Sequence, residues 1–186
     1  MAPKTNVDKL TLTIDFFSDE NFRTALAEIL GISDGEEITD EMIQKRKIMN
    51  VSGKNISDFT GIEYFTALTT LNCSENRLTS LDVSKNTALT RLYCHNNQLT
   101  TLDVSNNTAL TSSLCFSNQI KGKAMDALVA SLPTVSENWC SFYVIDTKDA
   151  NEGNVCTKSQ VAVAKEKGWA VYAWSDSWQK YDGSED

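Results

Sequence analysis

The middle of the chain repeats one pattern of apolar and polar positions at a fixed interval. Residues 66–86 read TALTTLNCSENRLTSLDVSKN, residues 87–107 read TALTRLYCHNNQLTTLDVSNN, and a third copy starts at Thr108. Leucine, cysteine and asparagine return at fixed places in each copy. A period of roughly 20 residues with this order of leucines predicts a stacked solenoid, because each unit buries its apolar edge only against its neighbours.

The two complete copies also predict which side chains point inward. They differ at seven positions, three of which alternate along one short segment, at 70/91, 72/93 and 74/95. This alternation has the period of a β-strand, whose successive side chains point to opposite faces. We therefore expect the invariant positions to point inward and the varied ones outward. The inward set is Leu71, Cys73, Leu92, Cys94 and, in the third copy, Cys115; the outward set is Thr70, Asn72, Ser74, Arg91, Tyr93 and His95.

The third copy departs from the pattern at one position. At the place equivalent to Leu92 stands Ser113, and the leucine has moved to Leu114. Either the register holds, so that Ser113 lies in a small inward pocket and Leu114 faces outward, or the strand bulges and turns Leu114 inward. Because Cys115 and Asn118 keep the spacing of the first two copies, we expect the register to hold.

The segments around the repeats predict capping elements. Residues 49–70 align as a divergent first unit, so that the repeats occupy 49–120 in about 3.5 units of roughly 21–22 residues each. Residues 1–48 predict an N-terminal helical cap, in which Ser18 caps the first helix and Thr39 caps the second.

Residues 121–186 predict an α/β C-terminal cap that closes the open end of the solenoid. The fold class is therefore α/β: a short solenoid with parallel strands on one face and a mostly irregular convex side. The elements predicted in the cap are a helix that stops at Pro133, a buried strand over 141–146, a helix over 158–167 started by Thr157 and Gln160, and a last strand over 169–174.

The repeat pattern LxxLxCxxNxLTxLDVSxN resembles that of bacterial leucine-rich repeat proteins, in particular the internalin-like surface and secreted proteins of gut anaerobes. The stretches FFSDENFRTALAEILG and VSGKNISDFTGIEYF resemble the helical cap and first repeat of that group. The resemblance implies that Asn76, Asn97 and Asn118 hydrogen-bond backbone groups in the turn after each strand, since an amide offers both donors and acceptors. Lys54 takes this place in the first unit, so its turn must be satisfied differently.

Length and charge narrow the classes of partner and location. The chain has 186 residues, enough for one core of ordinary size, and a net charge of −8. Nucleic acid and anionic lipid are poor partners, because phosphate binding needs a basic footprint. No apolar run approaches the roughly 18 residues of a membrane span. We expect no membrane insertion, and an extracellular, cell-surface or periplasmic location after removal of a signal that this chain does not show.

The five cysteines predict buried thiols. Cys73, Cys94 and Cys115 share one repeat position and should stack as a column of small apolar side chains. Neighbouring parallel strands give them poor geometry for a disulfide, and they lack the convergent spacing of zinc ligands. Cys140 and Cys156 could pair, which the sequence leaves open, and our preferred interpretation is reduced thiols throughout.

The sequence predicts no enzyme, no metal site and no cofactor. Its one histidine, His95, stands at an outward strand position, and the neighbouring Cys94 points to the opposite face, so the two cannot form a nucleophile–base pair. The loop 146–154 alternates acidic and amide side chains but lacks the glycine and closing glutamate of a calcium loop. A solvated acidic turn explains it better.

The outward strand face is the candidate binding site. Its aromatic, cationic and apolar members collect in the C-terminal half, and such residues are typical of interaction hot spots. The alternative is that the C-terminal cap covers them. We predict a monomeric, non-catalytic module that binds a protein or a glycan; the other hypothesis is a ligand-free spacer within a larger surface protein. The predicted contact residues are Asn72, Arg91, Tyr93, His95, Leu114 and Phe116.

Overall fold

The computed structural model describes residues 10–13, 15–136 and 140–186. One seven-stranded sheet carries the strands in the order of the chain, as a solenoid requires. Neighbouring strands from β1 to β6 pair in parallel, and β7 pairs antiparallel with β6. The strands are β1 Ile48–Asn50, β2 Thr70–Asn72, β3 Arg91–Tyr93, β4 Ser112–Leu114, β5 Ser141–Asp146, β6 Ala170–Trp174 and β7 Trp178–Lys180.

The strand register confirms the predicted inward and outward phase. Leu71 pairs with Leu92, and Leu92 with Ser113, so the third copy keeps its register without a bulge. Both leucines are fully buried, and Ser113 is 1% exposed. The Ser113 hydroxyl has no hydrogen-bond partner. Its register partner in β5 is the fully buried ring of Phe142, which fills core space beside the small serine.

The asparagine column makes the backbone hydrogen bonds that the repeat pattern implies. Asn97 accepts from the Leu78 amide at 3.0 Å and donates to the carbonyls of Cys73 and Cys94 at 3.0 and 3.1 Å. Asn118 repeats this arrangement one unit later. Asn76 accepts from two amides of the first turn, those of residues 54 and 56. Each asparagine therefore joins its own strand to the turn of the preceding unit.

Asn154 is a fourth member of this column and lies in the C-terminal cap. Its side-chain oxygen accepts from the Ile120 amide at 2.8 Å, and its amide donates to the carbonyls of Cys115 and Val144 at 2.8 and 2.9 Å. On the convex side, Asn86 and Asn107 form a second, fully buried column that bonds loop carbonyls. The repeat pattern did not predict a role for any of these three residues.

The N-terminal cap contains two helices, α1 Glu20–Leu30 and α2 Asp40–Lys45. Thr39 caps α2 as predicted, but the prediction of Ser18 for α1 is wrong, because Asp19 accepts the Phe22 amide at 2.9 Å. The other Asp19 oxygen accepts the amides of Ser57 and Asp58 at 2.8 and 3.2 Å.

The Asp19 carboxylate therefore joins the cap to the first repeat. Burial of this carboxyl opposes its ionisation, yet the hydrogen bonds from Ser57, Phe22 and Asp58 outweigh burial and hold its pKa below the ordinary value. Since Asn76 and Asp19 together bond the amides of the first turn, that turn needs no asparagine at Lys54.

The C-terminal cap continues the repeat step with longer units. Ser112 on β4 pairs with Ser141 on β5, which pairs with Ala170 on β6. The number of residues from Ser112 to Ser141 equals that from Ser141 to Ala170, and both exceed the repeat period. Each step contains one helix, α3 Lys123–Ser131 or α4 Lys158–Glu166. The convex side of the described repeats instead has one short 3-10 helix, Ile62–Tyr64, among turns. The extra residues of the cap units therefore build helices outside a sheet that continues in parallel through β6, with one register shift between Tyr143 and Ile145.

The predicted capping box of α4 is confirmed, since the Thr157 amide donates to the Gln160 side chain at 2.8 Å. The prediction of a last strand over 169–174 is incomplete. The strand begins at Ala170, and the chain then turns at 175–177 and returns as β7 along the edge of the sheet. No described helix is long and apolar enough to cross a membrane.

Candidate interaction face

Side chains at equivalent strand positions form two rows across the sheet. Register partners on neighbouring strands lie side by side, so each row runs across the sheet, roughly perpendicular to the strands. We call these rows, with His95, Phe116, Trp174 and Trp178 next to them, the outward face. The first row is Ile48, Thr70, Arg91, Ser112, Ser141 and Ala170, and the second is Asn50, Asn72, Tyr93, Leu114, Tyr143, Tyr172 and Lys180.

An aromatic cluster occupies the C-terminal half of the outward face, and Trp178 is its centre. Its ring lies edge-on to three others, with centroid distances of 4.6 Å to Tyr143, 5.0 Å to Trp174 and 5.2 Å to Phe116. Tyr143 also stacks on Tyr172 at 5.0 Å. Such pairs contribute about 0.5–1.5 kcal/mol each beyond area burial. These rings therefore stabilise one another, and Trp178 remains 39% exposed.

Five of the six predicted contact residues lie on the outward face with accessible surface. Arg91 is exposed, and Tyr93, Leu114 and His95 are half-buried. Asn72 is half-buried as well, but its side-chain oxygen accepts hydrogen bonds from the amide and hydroxyl of Ser74 at 3.1 and 2.7 Å. The Asn72 amide nitrogen is left for a ligand.

Phe116 must be removed from the accessible set. It points outward as predicted but is 7% exposed, because His95 stacks on it at 4.5 Å and Trp178 lies against it. For Phe116, cover by the C-terminal cap is the correct alternative. Ser74, also predicted to face outward, is 2% exposed.

The imidazole of His95 is partly enclosed on the outward face. Its Nδ1 is buried without a hydrogen-bond partner. Burial lowers the pKa of the imidazole below its ordinary value, and the negative charge of Glu75 only partly offsets this. Cys94 is fully buried on the inward side, so its thiol does not lie beside the ring.

The inward cysteines form the expected column. Cys73, Cys94 and Cys115 are fully buried free thiols. Burial raises the pKa of the Cys94 thiol to about 12, so it stays protonated at neutral pH. Cys156 is also free, and the Cys140–Cys156 pair is not formed.

Carboxylates of the acidic loop 146–154 accept hydrogen bonds from backbone amides. Glu152 accepts the amides of Ser117, Asp146 and Asn154 at 2.8, 2.7 and 2.8 Å, although burial raises the pKa of its carboxyl above the ordinary value. Asp149 accepts the Asn151 amide. Among the described residues, no group of three or more His, Cys, Asp or Glu side chains could hold a metal ion.

Four aromatic residues of the outward face were missed because their segments were interpreted only as a cap. SFYVID and AVYAW are apolar or aromatic at almost every position, so the sequence does not show which side chains point outward. The prediction that 141–146 is a fully buried strand is wrong, because Ser141, Tyr143 and Asp146 are only half-buried. Val171 and Ala173 are buried, while Tyr172 and Trp174 between and after them point outward. The four missed residues are Tyr143, Tyr172, Trp174 and Trp178.

Parallel strands in register, a leucine and cysteine core and an asparagine column define the class of the protein as leucine-rich repeat. A family model described as Leucine Rich repeats (2 copies) matches residues 66–107. Internalin J of Listeria monocytogenes serotype 4b (strain F2365) is 39% identical over 72 residues, which cover 39% of this chain and 8% of that protein.

Two solved structures from the same species are similar. The functional domain of InlJ from Listeria monocytogenes, described as including a cysteine ladder, is 34% identical, with a TM-score of 0.58 over 64% of this chain and 26% of that chain. The internalin InlF of strain 4b F2365 has a TM-score of 0.68 at 20% identity, covers 89% of this chain and 46% of its own, and supports the fold alone. The chain thus spans less than half of each of these proteins, and it is a leucine-rich repeat protein that is similar to bacterial internalins.

Proposed function

We propose that this chain is a non-catalytic interaction module whose outward face binds a protein or a glycan. The observation that carries the proposal is that exposed Arg91 and half-buried Tyr93 lie on the same face of the sheet as an aromatic cluster whose central residue, Trp178, is 39% exposed. Tyrosine, tryptophan and arginine are the residue types enriched at binding hot spots. A ligand-free spacer has no need of such a group on one face, and exposed apolar patches on monomers generally mark contact sites.

The same proposal places the protein at the bacterial surface or outside the cell as a monomer. Similarity to listerial internalins supports this location, because members of that group are typically surface or secreted proteins. The stacking of His95 on Phe116 and the burial of its Nδ1 without a hydrogen-bond partner support a non-catalytic role.

The experiment is a glycan array together with a pull-down from extracellular host proteins, using wild type and two matched variants. The face variant is Arg91→Ala with Tyr93→Ala, and the control is Arg77→Ala with Gln98→Ala, two exposed residues outside the strands. We expect a ligand that binds wild type and the control with equal affinity and binds the face variant at least tenfold more weakly. The melting temperatures of the three proteins should agree within a few degrees.

Two results would contradict the proposal. A ligand that binds the face variant as well as wild type uses another surface. Failure of wild type to bind on either platform favours the spacer hypothesis.

A further inference from the structure

Two cationic side chains of the outward face have no ion pair within the described residues. Arg91 on β3 and Lys180 on β7 are both exposed, and neither belongs to the salt bridges there. Asp182 senses the charge of Lys180, but its carboxylate is paired with Lys165 at 2.7 Å. Both cations are therefore available to a partner.

Carboxylates are scarce on this face, although the chain has 25 acidic residues against 17 basic ones. Among the outward strand positions described, the one acid is Asp146, and it already accepts the amides of Lys148 and Asp149 at 2.8 and 3.2 Å. Glu75 follows β2 in the turn beside His95. An unpaired cation on a face with few carboxylates attracts a carboxylate of a partner. This charge contact orients the partner as well as binding it.

The two cations lie on opposite sides of an apolar stretch. Four strand steps separate β3 from β7, which corresponds to about 19 Å at roughly 4.8 Å per step. An extended polypeptide rises about 3.3 Å per residue, so about six residues cover this distance. Between the cations, the second row presents Leu114, Tyr143 and Tyr172, with Trp178 next to them.

Charge distribution favours a polypeptide over a sulfated glycan. A sulfated chain carries closely spaced anions and needs several cations along its path, whereas this face offers two, separated by aromatic rings. The net charge of −8 would also repel a dense polyanion at long range. A mixed acidic and apolar peptide meets the two cations and the rings together.

We infer that the outward face recognises an extended polypeptide segment with two acidic side chains about six residues apart and apolar side chains between them, lying across β3 to β7. This inference rests on the proposed function and specifies its partner. The C-terminal cap then supplies one of the two charge contacts and most of the apolar contacts, so it is part of the binding site as well as a cap.

The test measures binding of immobilised synthetic peptides by biolayer interferometry. One peptide carries glutamates six positions apart with leucine and phenylalanine between them, and its twin has glutamine in place of both glutamates. A heparin-derived oligosaccharide is the third probe. We expect wild type to bind the acidic peptide at least tenfold more tightly than the twin, with affinity falling as salt rises.

The matched variants assign this preference to the two cations. Arg91→Glu with Lys180→Glu should remove it, while Arg77→Glu with Lys121→Glu, which gives the same net charge through exposed residues outside the strands, should retain it. Equal binding or no binding of both peptides would overturn the inference, and so would binding of the oligosaccharide alone. If the peptides fail but the Arg91→Ala and Tyr93→Ala variant still loses a partner found on the arrays, the proposed function stands and only the acidic peptide is excluded.

Discussion

The repeats and the C-terminal cap build one continuous sheet from two kinds of sequence. Between 49 and 120 the strands recur at the short interval that separates Leu71 from Leu92, and turns and buried asparagines join them. Beyond 120 they recur at the longer interval that separates Ser141 from Ala170, and helices join them. Both intervals lie in the range of about 20–29 residues that leucine-rich repeats use. The convex side therefore changes completely while parallel pairing and inward–outward phase continue into the cap, interrupted by one register shift between Tyr143 and Ile145.

The largest predicted loss of folding stability comes from core substitutions, which test whether the repeats and the C-terminal cap share one core. Phe142→Ala in the cap should cost about 3–5 kcal/mol and Leu92→Ala in the repeats about 2–5 kcal/mol, because both side chains are fully buried. Arg91→Ala, at an outward position, should change stability by about 0.5 kcal/mol or less. Denaturant titration followed by far-ultraviolet circular dichroism measures all three.

Each variant should unfold in a single transition, since the core is continuous across the boundary. If Phe142→Ala instead unfolds in two steps, with the repeats remaining folded, the cap is a separate domain and the comparison fails.

The next effect concerns the asparagine column. Asn154→Ala should destabilise the protein as much as Asn97→Ala does, by about 1–3 kcal/mol for the buried backbone groups that are left unpaired. Each side chain accepts one backbone amide and donates to two carbonyls. The distances are 2.8–2.9 Å for Asn154 and 3.0–3.1 Å for Asn97. Thermal melts of the two variants compare them directly. A harmless Asn154→Ala would confine the column to the repeats.

A smaller effect of opposite sign is expected at the boundary itself. Ser113→Ala should stabilise the protein by about 1 kcal/mol, because its buried hydroxyl has no partner to lose. The matched change, Ser112→Ala on the outward side of the same strand, should have almost no effect. Destabilisation by Ser113→Ala in urea titration would mean that the hydroxyl is hydrogen-bonded in solution, for example to a buried water.

The smallest effect at neutral pH concerns the buried thiols. Folding raises the pKa of Cys94 from 9.0 to about 12, and that of Cys156 likewise to about 12. Their protonated forms favour the folded state, so the full stability is present below pH 9 and is lost as pH rises from 9 toward 12. At pH 8, Cys94 should react with iodoacetamide only after denaturation, as mass spectrometry of the labelled peptides would show. Rapid native labelling of Cys94 would place it on the outward face.

The repeat strands were predictable because two nearly identical copies reveal which positions vary. The same comparison could not find Asn154, because the acidic loop intervenes and places it beyond the repeat interval after Asn118. The helix cap shows another limit. Ser18 and Asp19 are both good capping residues, and the choice is made by amides of Ser57 and Asp58 that are distant in sequence.

The candidate site shows the same limit on a larger scale. The outward direction of Tyr93, Leu114 and Phe116 followed from strand period alone. The cover of Phe116 depends on Trp178, which reaches it only because β7 folds back along the edge of the sheet. That strand has three residues, too few for a recognisable pattern.

We conclude that the register of β3 and β4 continues into β5, so that the repeats and the C-terminal cap contribute to a single outward face. The most direct measurement is the set of nuclear Overhauser effects from the Leu114 methyl groups in selectively labelled protein. We expect contacts from Leu114 to the rings of Tyr93 and Tyr143, the register partners of Leu114 on the two neighbouring strands. Contacts to Leu92 and Phe142 in their place would show that Leu114 points inward and would contradict the claim.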